Sequence, residues 1–325
     1  MVRRYLKSII LLLAGMLLFS GCSINKLVMN KVGDMLAGDG AGSVFMGDND
    51  PEFVGDALPF AIKMYESLLQ SVPGHSGLIV TTGSLYVMYA NAFLYTPASM
   101  MKEEMYREQE HLMARAKNLY LRGRDIILNG IERHHPGFKD LLSKKAFDNI
   151  LKMMKKEDAP FLYWAAAGWM GAFSIDPFDM DLGITLPRAA GLMDMVLKVD
   201  PEFEKSSIYD FYISYYGSLP EYMGGSNKKA RENFKKSVEF SDSKLISPFV
   251  SLATSVSINT QNLKEFRELL SQAVVFNVDL NPENRLVNII NKRKAKWYLE
   301  NEEDFFLVTD KETPTENEEE EENEE

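Results

Sequence analysis

"PEFVGDALPFAIKMYESLLQSVPG", Pro51 to Gly74, decides how the rest of the chain is read. Ala57, Phe60, Ala61, Met64, Leu68 and Leu69 recur at spacings of three and four, which predicts an amphipathic helix with that stripe turned inward. Pro73-Gly74 ends it, because proline cannot continue a helix and glycine favours the turn that follows. A second helix is expected from about His75 to Leu94, around "LYVMYANAFLY". The phrase then returns: "ERHHPGFKDLL" and "KVDPEFEKSSI" echo "QSVPGHSGLI". Pro73, Pro136 and Pro201 lie 63 and 65 residues apart, so each interval reads as two helix–turn–helix units of about 34 residues.

The later segments continue the pattern. "LPRAAGLMDMVLKVDPEFEKSSIYDFYISYYGSLP" predicts one helical pair. "NKKARENFKKSVEFSDSKLISPFVSLATSVSI" predicts another, with Ala230, Phe234 and Val238 at i, i+4, i+8. "LKEFRELLSQAVVF" and "RLVNIINKRKAKWYLENEEDFF" supply a last pair. Alternation of β-branched residues never persists, so strands are not expected. The expected fold is all-α: tandem degenerate tetratricopeptide-like (TPR-like) repeats, lacking the standard Trp-Leu-Gly-Tyr signature, wound into a right-handed superhelical solenoid over residues 51–308.

The first 21 residues read as a secretory leader: Arg3, Arg4 and Lys7 precede an apolar run, Ile9 to Phe19, too short to span a bilayer. The leader ends in "LLFSGCS", Leu17 to Ser23, which holds the only cysteine, Cys22. This resembles the bacterial lipobox, departing from it at Phe19, and makes Cys22 the expected site of lipid attachment, palmitate included. Two or three acyl chains give a stable anchor at roughly 0.8 kcal/mol per buried CH₂. Residues 22–50 are expected to be a lipidated N-terminus with one amphipathic helix, then a glycine-rich linker through Gly38, Gly40 and Gly42.

With one cysteine the mature chain can form no internal disulfide, so its stability must come from burial, for which 46% hydrophobic residues suffice. The net charge of −11 is mostly a property of the end of the chain. Asp310–Glu325 carries ten acids and one lysine, and "TPTENEEEEENEE" reads as a disordered tail over 309–325. The body is only mildly acidic and has no basic face, so nucleic acid is not an expected partner.

A search for reactive groups finds little. His75, His111, His134 and His135 show no H-E-x-x-H or i, i+4 pairing, and "GHSGL" lacks a nucleophile elbow. Asp176, Asp179 and Asp181 in "DPFDMDLG" do not have calcium-loop spacing and read as caps for the next helix. Arg122, Arg124 and Asp125 read as structural pairs. No metal, cofactor or enzymatic activity is expected. "PFLYWAAAGWMGAF", Pro160 to Phe173, sets small residues beside large rings, as close helix packing requires, and at 14 residues it is too short to cross a membrane. Together with "YANAFLY" and "FYISYYG" it makes an aromatic stock beyond the needs of a scaffold. Tyr89, Asn91, Trp164, Trp169, Tyr212 and Tyr216 are therefore candidates for lining an apolar ligand cavity on a concave side.

The ordered set of segments Gly42–Val80, "AKNLYLRGRD" (Ala116–Asp125), "PGF" (Pro136–Phe138), "YWAAAGW" (Tyr163–Trp169), Leu186-Pro187 and "LPEYMGGSNKKARENF" (Leu219–Phe234) resembles the T-component of tetratricopeptide-repeat-associated TRAP transporters over Val44–Phe276. The resemblance implies a periplasmic lipoprotein, not an enzyme, that works beside the substrate-binding subunit of an ion-driven uptake system for organic acids or other small ligands. It holds that subunit near the membrane and can pass ligand to it. The alternatives are a direct carrier of a small hydrophobic ligand, or an assembly scaffold of the envelope. Homo-oligomers are compatible with this reading, and either envelope membrane could carry the anchor.

Overall fold

The computed structural model describes residues 28–38 and 44–307, and within them every regular element is a helix. Cys22, the leader and the acidic tail lie outside the described residues. The helices are α1 (28–36), α2 (Pro51–Ser71), α3 (Ser76–Ser99), α4 (Tyr106–His134), α5 (Phe138–Ser143), α6 (Phe147–Met153), α7 (Ala159–Ile175), α8 (Met180–Val199), α9 (Lys205–Ser218), α10 (Asn227–Phe240), α11 (Ser247–Leu252), α12 (Leu263–Val275) and α13 (Arg285–Glu300).

Their ends follow from local chemistry. Polar side chains accept from the free amides of the first turn: Asp50 from Phe53 N at 3.0 Å, Asp179 from Leu182 N at 3.0 Å, Asn262 from Glu265 N at 3.1 Å. The three echoed prolines act alike. Each follows a residue driven extended by the proline ring: Val72 (φ −133°, ψ 69°), His135 (φ −130°, ψ 79°) and Asp200 (φ −144°, ψ 89°). The repeated turn is therefore real. The spacing of the units is not as expected, since the interval from Pro73 to Pro136 holds one pair of long helices, α3 and α4, where two short units were expected. The second interval holds two pairs, α5 with α6 and α7 with α8.

The stripe expected to face inward on α2 is corrected in part: Ala61 is buried and Leu68 and Leu69 pack on the core, while Phe60 and Met64 turn outward. Val54, Leu58, Ala61, Ile62 and Tyr65 are buried, whereas Phe60 is 77% exposed and Met64 37%. Both stripes have helical spacing. The buried one carries the β-branched and tyrosine side chains that fit against α3.

Successive long helices pack on one another: α2 on α3, α3 on α4, α4 on α7, α7 on α8, then α9 on α10 and α12 on α13. Glycines set the closest approaches. A Cβ on Gly168 of α7 would stand 3.0 Å from the Tyr120 carbonyl oxygen on α4, and one on Gly171 2.2 Å from the Tyr120 ring, so the small residues of "PFLYWAAAGWMGAF" do serve packing. Helix α3 is long and apolar enough to cross a bilayer, but more than half of it is buried against its neighbours.

The two ends of the helical body meet. Leu286 of α13 is buried in one cluster with Val54, Leu58, Ile62 and Tyr65 of α2, and Ile290 packs on it. Arg293 pairs with Glu52, and Arg285 Nη1 donates to the Gly47 carbonyl at 3.1 Å. Phe45 and Met46 join the same cluster, so residues just after the glycine-rich stretch are packed onto the body. Helix α1 is docked too, through Tyr65 Oη donating to the Leu36 carbonyl at 2.8 Å.

Candidate functional site

Because the ends meet, α3, α7, α9, α11 and α13 bring polar side chains to one interior cluster. Its groups are Tyr95, Tyr163, Asp210, Lys294 and Tyr298, with the hydroxyls of Ser207, Ser247 and Ser251 at its edge. Tyr95, Tyr163, Asp210 and Lys294 are enclosed by protein yet retain part of their surface.

A local irregularity delivers Tyr95. Pro97 stands inside the continuous helix α3, where its ring would meet the carbonyl four residues back. The chain answers with a π turn over Ala90–Tyr95, in which the Thr96 amide reaches back five residues to Asn91. Such turns re-aim side chains and recur at functional sites. A second π turn, Ala253–Ser257, continues α11 beyond the helical turns that carry Ser247 and Ser251.

The electrostatics are unusual for a scaffold. The Lys294 ammonium stands 5.6 Å from the ring centre of Tyr95 and 5.9 Å from that of Tyr298. Burial lowers its pKa to about 8, against the pull of Asp210. Asp210 is shifted the other way, raised by burial, while Ser251, Ser247 and Lys294 oppose the rise. Its Oδ1 is cut off from solvent and has no hydrogen-bond partner among the described residues. Burial also raises the pKa of Tyr95, Tyr163 and Tyr298, so their hydroxyls stay protonated and able to donate. Tyr120 of α4 is within electrostatic reach of Tyr95 and is shifted upward in the same way. The arrangement offers one cation, one carboxylate, several hydroxyl donors and aromatic walls. It suits reversible binding.

The six residues singled out from sequence have the following surroundings. Tyr89 stacks on Phe93 at 5.7 Å, and Asn91 is exposed on the π turn. Trp164 meets Tyr163 edge-on at 5.1 Å. Trp169 is core: its Nε1 donates to Thr185 Oγ1 at 3.1 Å, and Arg124 covers its ring at 4.7 Å. Tyr212 gives its hydroxyl to Asp194 and stacks on Tyr216 at 5.7 Å, and Lys229 lies 5.0 Å from the centre of the Tyr216 ring. Tyr95, Tyr163 and Asp210 lie on the same three helices as these six residues.

Lys294 and Asp210 were missed, although each carries a sequence signal. Leu286, Ile290, Lys294 and Tyr298 recur every four residues, which puts a lysine on an apolar stripe. Ser206, Asp210, Ile213 and Gly217 follow at spacings of four, three and four, which puts an acid on the buried face of its helix.

The other charged motifs are structural. Lys117 Nζ bridges Asp176 and Asp179 at 2.8 Å each, and Asp179 caps α8. Arg122 pairs with Glu66 and stands 4.9 Å from the ring centre of Tyr86. His135 meets Asp158 at 3.1 Å, and His75 accepts from Leu78 N at the start of α3. Among the described residues no group of three His, Cys, Asp or Glu side chains is placed to hold a metal.

Comparison with known proteins agrees with the resemblance drawn from the sequence. Residues 47–306 match the family model described as "TRAP transporter T-component". An uncharacterized protein of Treponema pallidum (strain Nichols) is 29% identical over 309 residues, covering 90% of this chain and 96% of its own. The chain belongs to the TRAP transporter T-component family.

Proposed function

We propose that this T-component is a lipid-anchored periplasmic adaptor of a TRAP-type uptake system, which docks the substrate-binding subunit and holds a small ligand at its interior cluster. In this reading its helical pairs form a TPR-like superhelix that is closed where α13 meets α2. The observation that carries the ligand-holding part is the pair Lys294 and Asp210. A chain that served only as a spacer would gain stability by replacing two separated interior charges with apolar side chains. The docking part rests on family membership. Acyl chains on Cys22 would keep adaptor and partner on one surface, raising their effective concentration without a tight interface.

The test is sedimentation velocity of the mature chain with the TRAP substrate-binding protein of the same organism, together with native mass spectrometry of the chain alone. A co-sedimenting complex and a retained small molecule are expected. Absence of a complex at tens of micromolar would overturn the adaptor reading. A complex without ligand would leave an adaptor only, and a ligand without a complex would favour a direct carrier.

A further inference from the structure

The turns at Pro73, Pro136 and Pro201 gather at one end of the helical body. His134 Nε2 lies 3.0 Å from the Gly74 carbonyl oxygen, His135 meets Asp158 at 3.1 Å, and Lys156 Nζ stands 3.4 Å from Asp200. Helix α1 is docked at that end. His75 Nδ1 accepts from Leu78 N, so Nε2 carries the proton and reaches Asp34 Oδ1 at 3.1 Å and the Asn30 carbonyl at 3.3 Å. Gly33 faces the body, since a Cβ there would stand 2.8 Å from His75 Nε2. Val28, Val32 and Met35 follow at i, i+4, i+7 on the other side, with Lys31 beside them. Val28 is 50% exposed and Met35 73%, so α1 keeps a second apolar stripe largely open to solvent.

The same end carries a local excess of positive charge. Helices α5 and α6 and the loops beside them hold Lys139, Lys144, Lys145, Lys152, Lys155 and Lys156, all exposed, against the exposed acids Asp140, Asp148 and Glu157. Lys144 pairs with Asp140 and Lys156 with Asp200, while Lys145, Lys152 and Lys155 hold no ion pair among the described residues. The body as a whole is mildly acidic, which makes this cluster stand out. What covers the open stripe follows from the chain. Val28 is six residues from Cys22, so at about 3.3–3.6 Å per residue the thiol lies within about 20 Å of α1.

We infer that the end built from the proline turns is the face this protein lays on a phospholipid bilayer. The outward stripe of α1 beds in the boundary between headgroups and acyl chains, and the lysines around α5 and α6 lie over anionic headgroups. The opposite end is held away from lipid. Lys117, which bridges Asp176 and Asp179, lies seventeen residues before His134 on α4, about 25 Å along the helix axis. Phe178, between those two acids, is exposed at that far end.

This inference rests on the reading of Cys22 as the lipid anchor and adds which side of the body meets the membrane. An acylated Cys22 leaves no free thiol, so a single introduced cysteine can be labelled. The test places a nitrobenzoxadiazole fluorophore on Met35→Cys, Asn149→Cys or Phe178→Cys of the acylated chain. Each is bound to phosphatidylcholine vesicles with and without phosphatidylglycerol, and quenching by nitroxide lipids is read. All three side chains are exposed, so no label disturbs the core. Acyl-chain nitroxides should quench the label at Met35 at least threefold more than that at Phe178. Headgroup nitroxides should quench the label at Asn149 more strongly when phosphatidylglycerol is present, a gain that high salt removes. Equal quenching at Met35 and Phe178, stronger quenching at Phe178, or an Asn149 signal that phosphatidylglycerol does not move overturns the inference. Flotation of the unlabelled wild-type chain with the same vesicles tests the anchor separately. Flotation with the labels failing in this way removes this inference alone. A wild-type chain that does not float removes the anchor reading, and this inference with it.

Discussion

A Cβ built on Gly123 of α4 would stand 2.6 Å from the carbonyl oxygen of Gly83 on α3, so the two helices cross backbone on backbone. The contact is reciprocal, since a Cβ on Gly83 would stand 3.0 Å from the Gly123 carbonyl oxygen. Nothing flexible lies in the path from Gly123 to that carbonyl. Gly123→Ala should therefore force the pair apart and destabilise the chain by about 1–3 kcal/mol, as overpacking does. Urea unfolding measures it, and an unchanged midpoint would mean that α3 and α4 do not approach this closely.

Lys294 should cost stability. Its pKa is lowered to about 8 in the folded protein against about 10.4 in an unfolded chain. Between those values the unfolded chain binds the extra proton, so folding stability rises as pH increases from 8 toward 10.4. Below pH 8 the full penalty is present. Lys294→Met should thus be more stable than wild type by about 1–3 kcal/mol at pH 7, with the gap shrinking by pH 10. Denaturant midpoints at both pH values decide it.

Acid should act through Glu265. Burial alone would raise its pKa, but Arg231, bound through two nitrogens at 2.9 and 2.8 Å, and Ser257 at 2.8 Å more than reverse the effect. The folded pKa lies below the unfolded one. This contribution is complete above the ordinary glutamate range and is lost as pH falls through the lowered value. Arg231→Ala should cost about 1–3 kcal/mol at pH 7 and progressively less as pH falls below the ordinary glutamate range, a trend readable by thermal unfolding across that range.

Closure of the body should depend on packing more than on charge. Leu286 is 4% exposed among side chains of α2, and Leu286→Ala is expected to cost about 2–5 kcal/mol. The Arg293–Glu52 pair is open to solvent, and Arg293→Ala should cost under about 1 kcal/mol. Proteolysis between α12 and α13 would report a loosened end in the leucine variant alone.

The anchor is tested most simply. Cys22→Ser should move the exported chain from the detergent phase to the aqueous phase on Triton X-114 partition. Retention in the detergent phase would place the membrane contact elsewhere.

Much of this architecture is legible in particular residues. The turns at Pro73, Pro136 and Pro201 could be read directly, since a proline constrains its own neighbour whatever surrounds it. The capping role of Asp179 was legible for the same reason, being an interaction across three residues. The inward face of α2 was not. The stripes through Phe60 and through Leu58 both have helical period, and only the shape of α3 chooses between them. The interior cluster was harder still. "YANAFLY" shows its aromatic content but not the π turn that shifts the face from Tyr89 to Tyr95.

By itself, the sequence determined an all-helical chain, the places where its helices stop, and, through the ordered motifs from Gly42 to Phe234, the transporter family to which it belongs. Only the tertiary structure decided that α13 returns to α2, and so that Lys294 and Asp210 share one interior with Tyr95. The division has a physical cause. Helix periodicity and turn chemistry act over a few residues, whereas the meeting of distant helices depends on the summed burial of the whole chain, to which no local stretch has access.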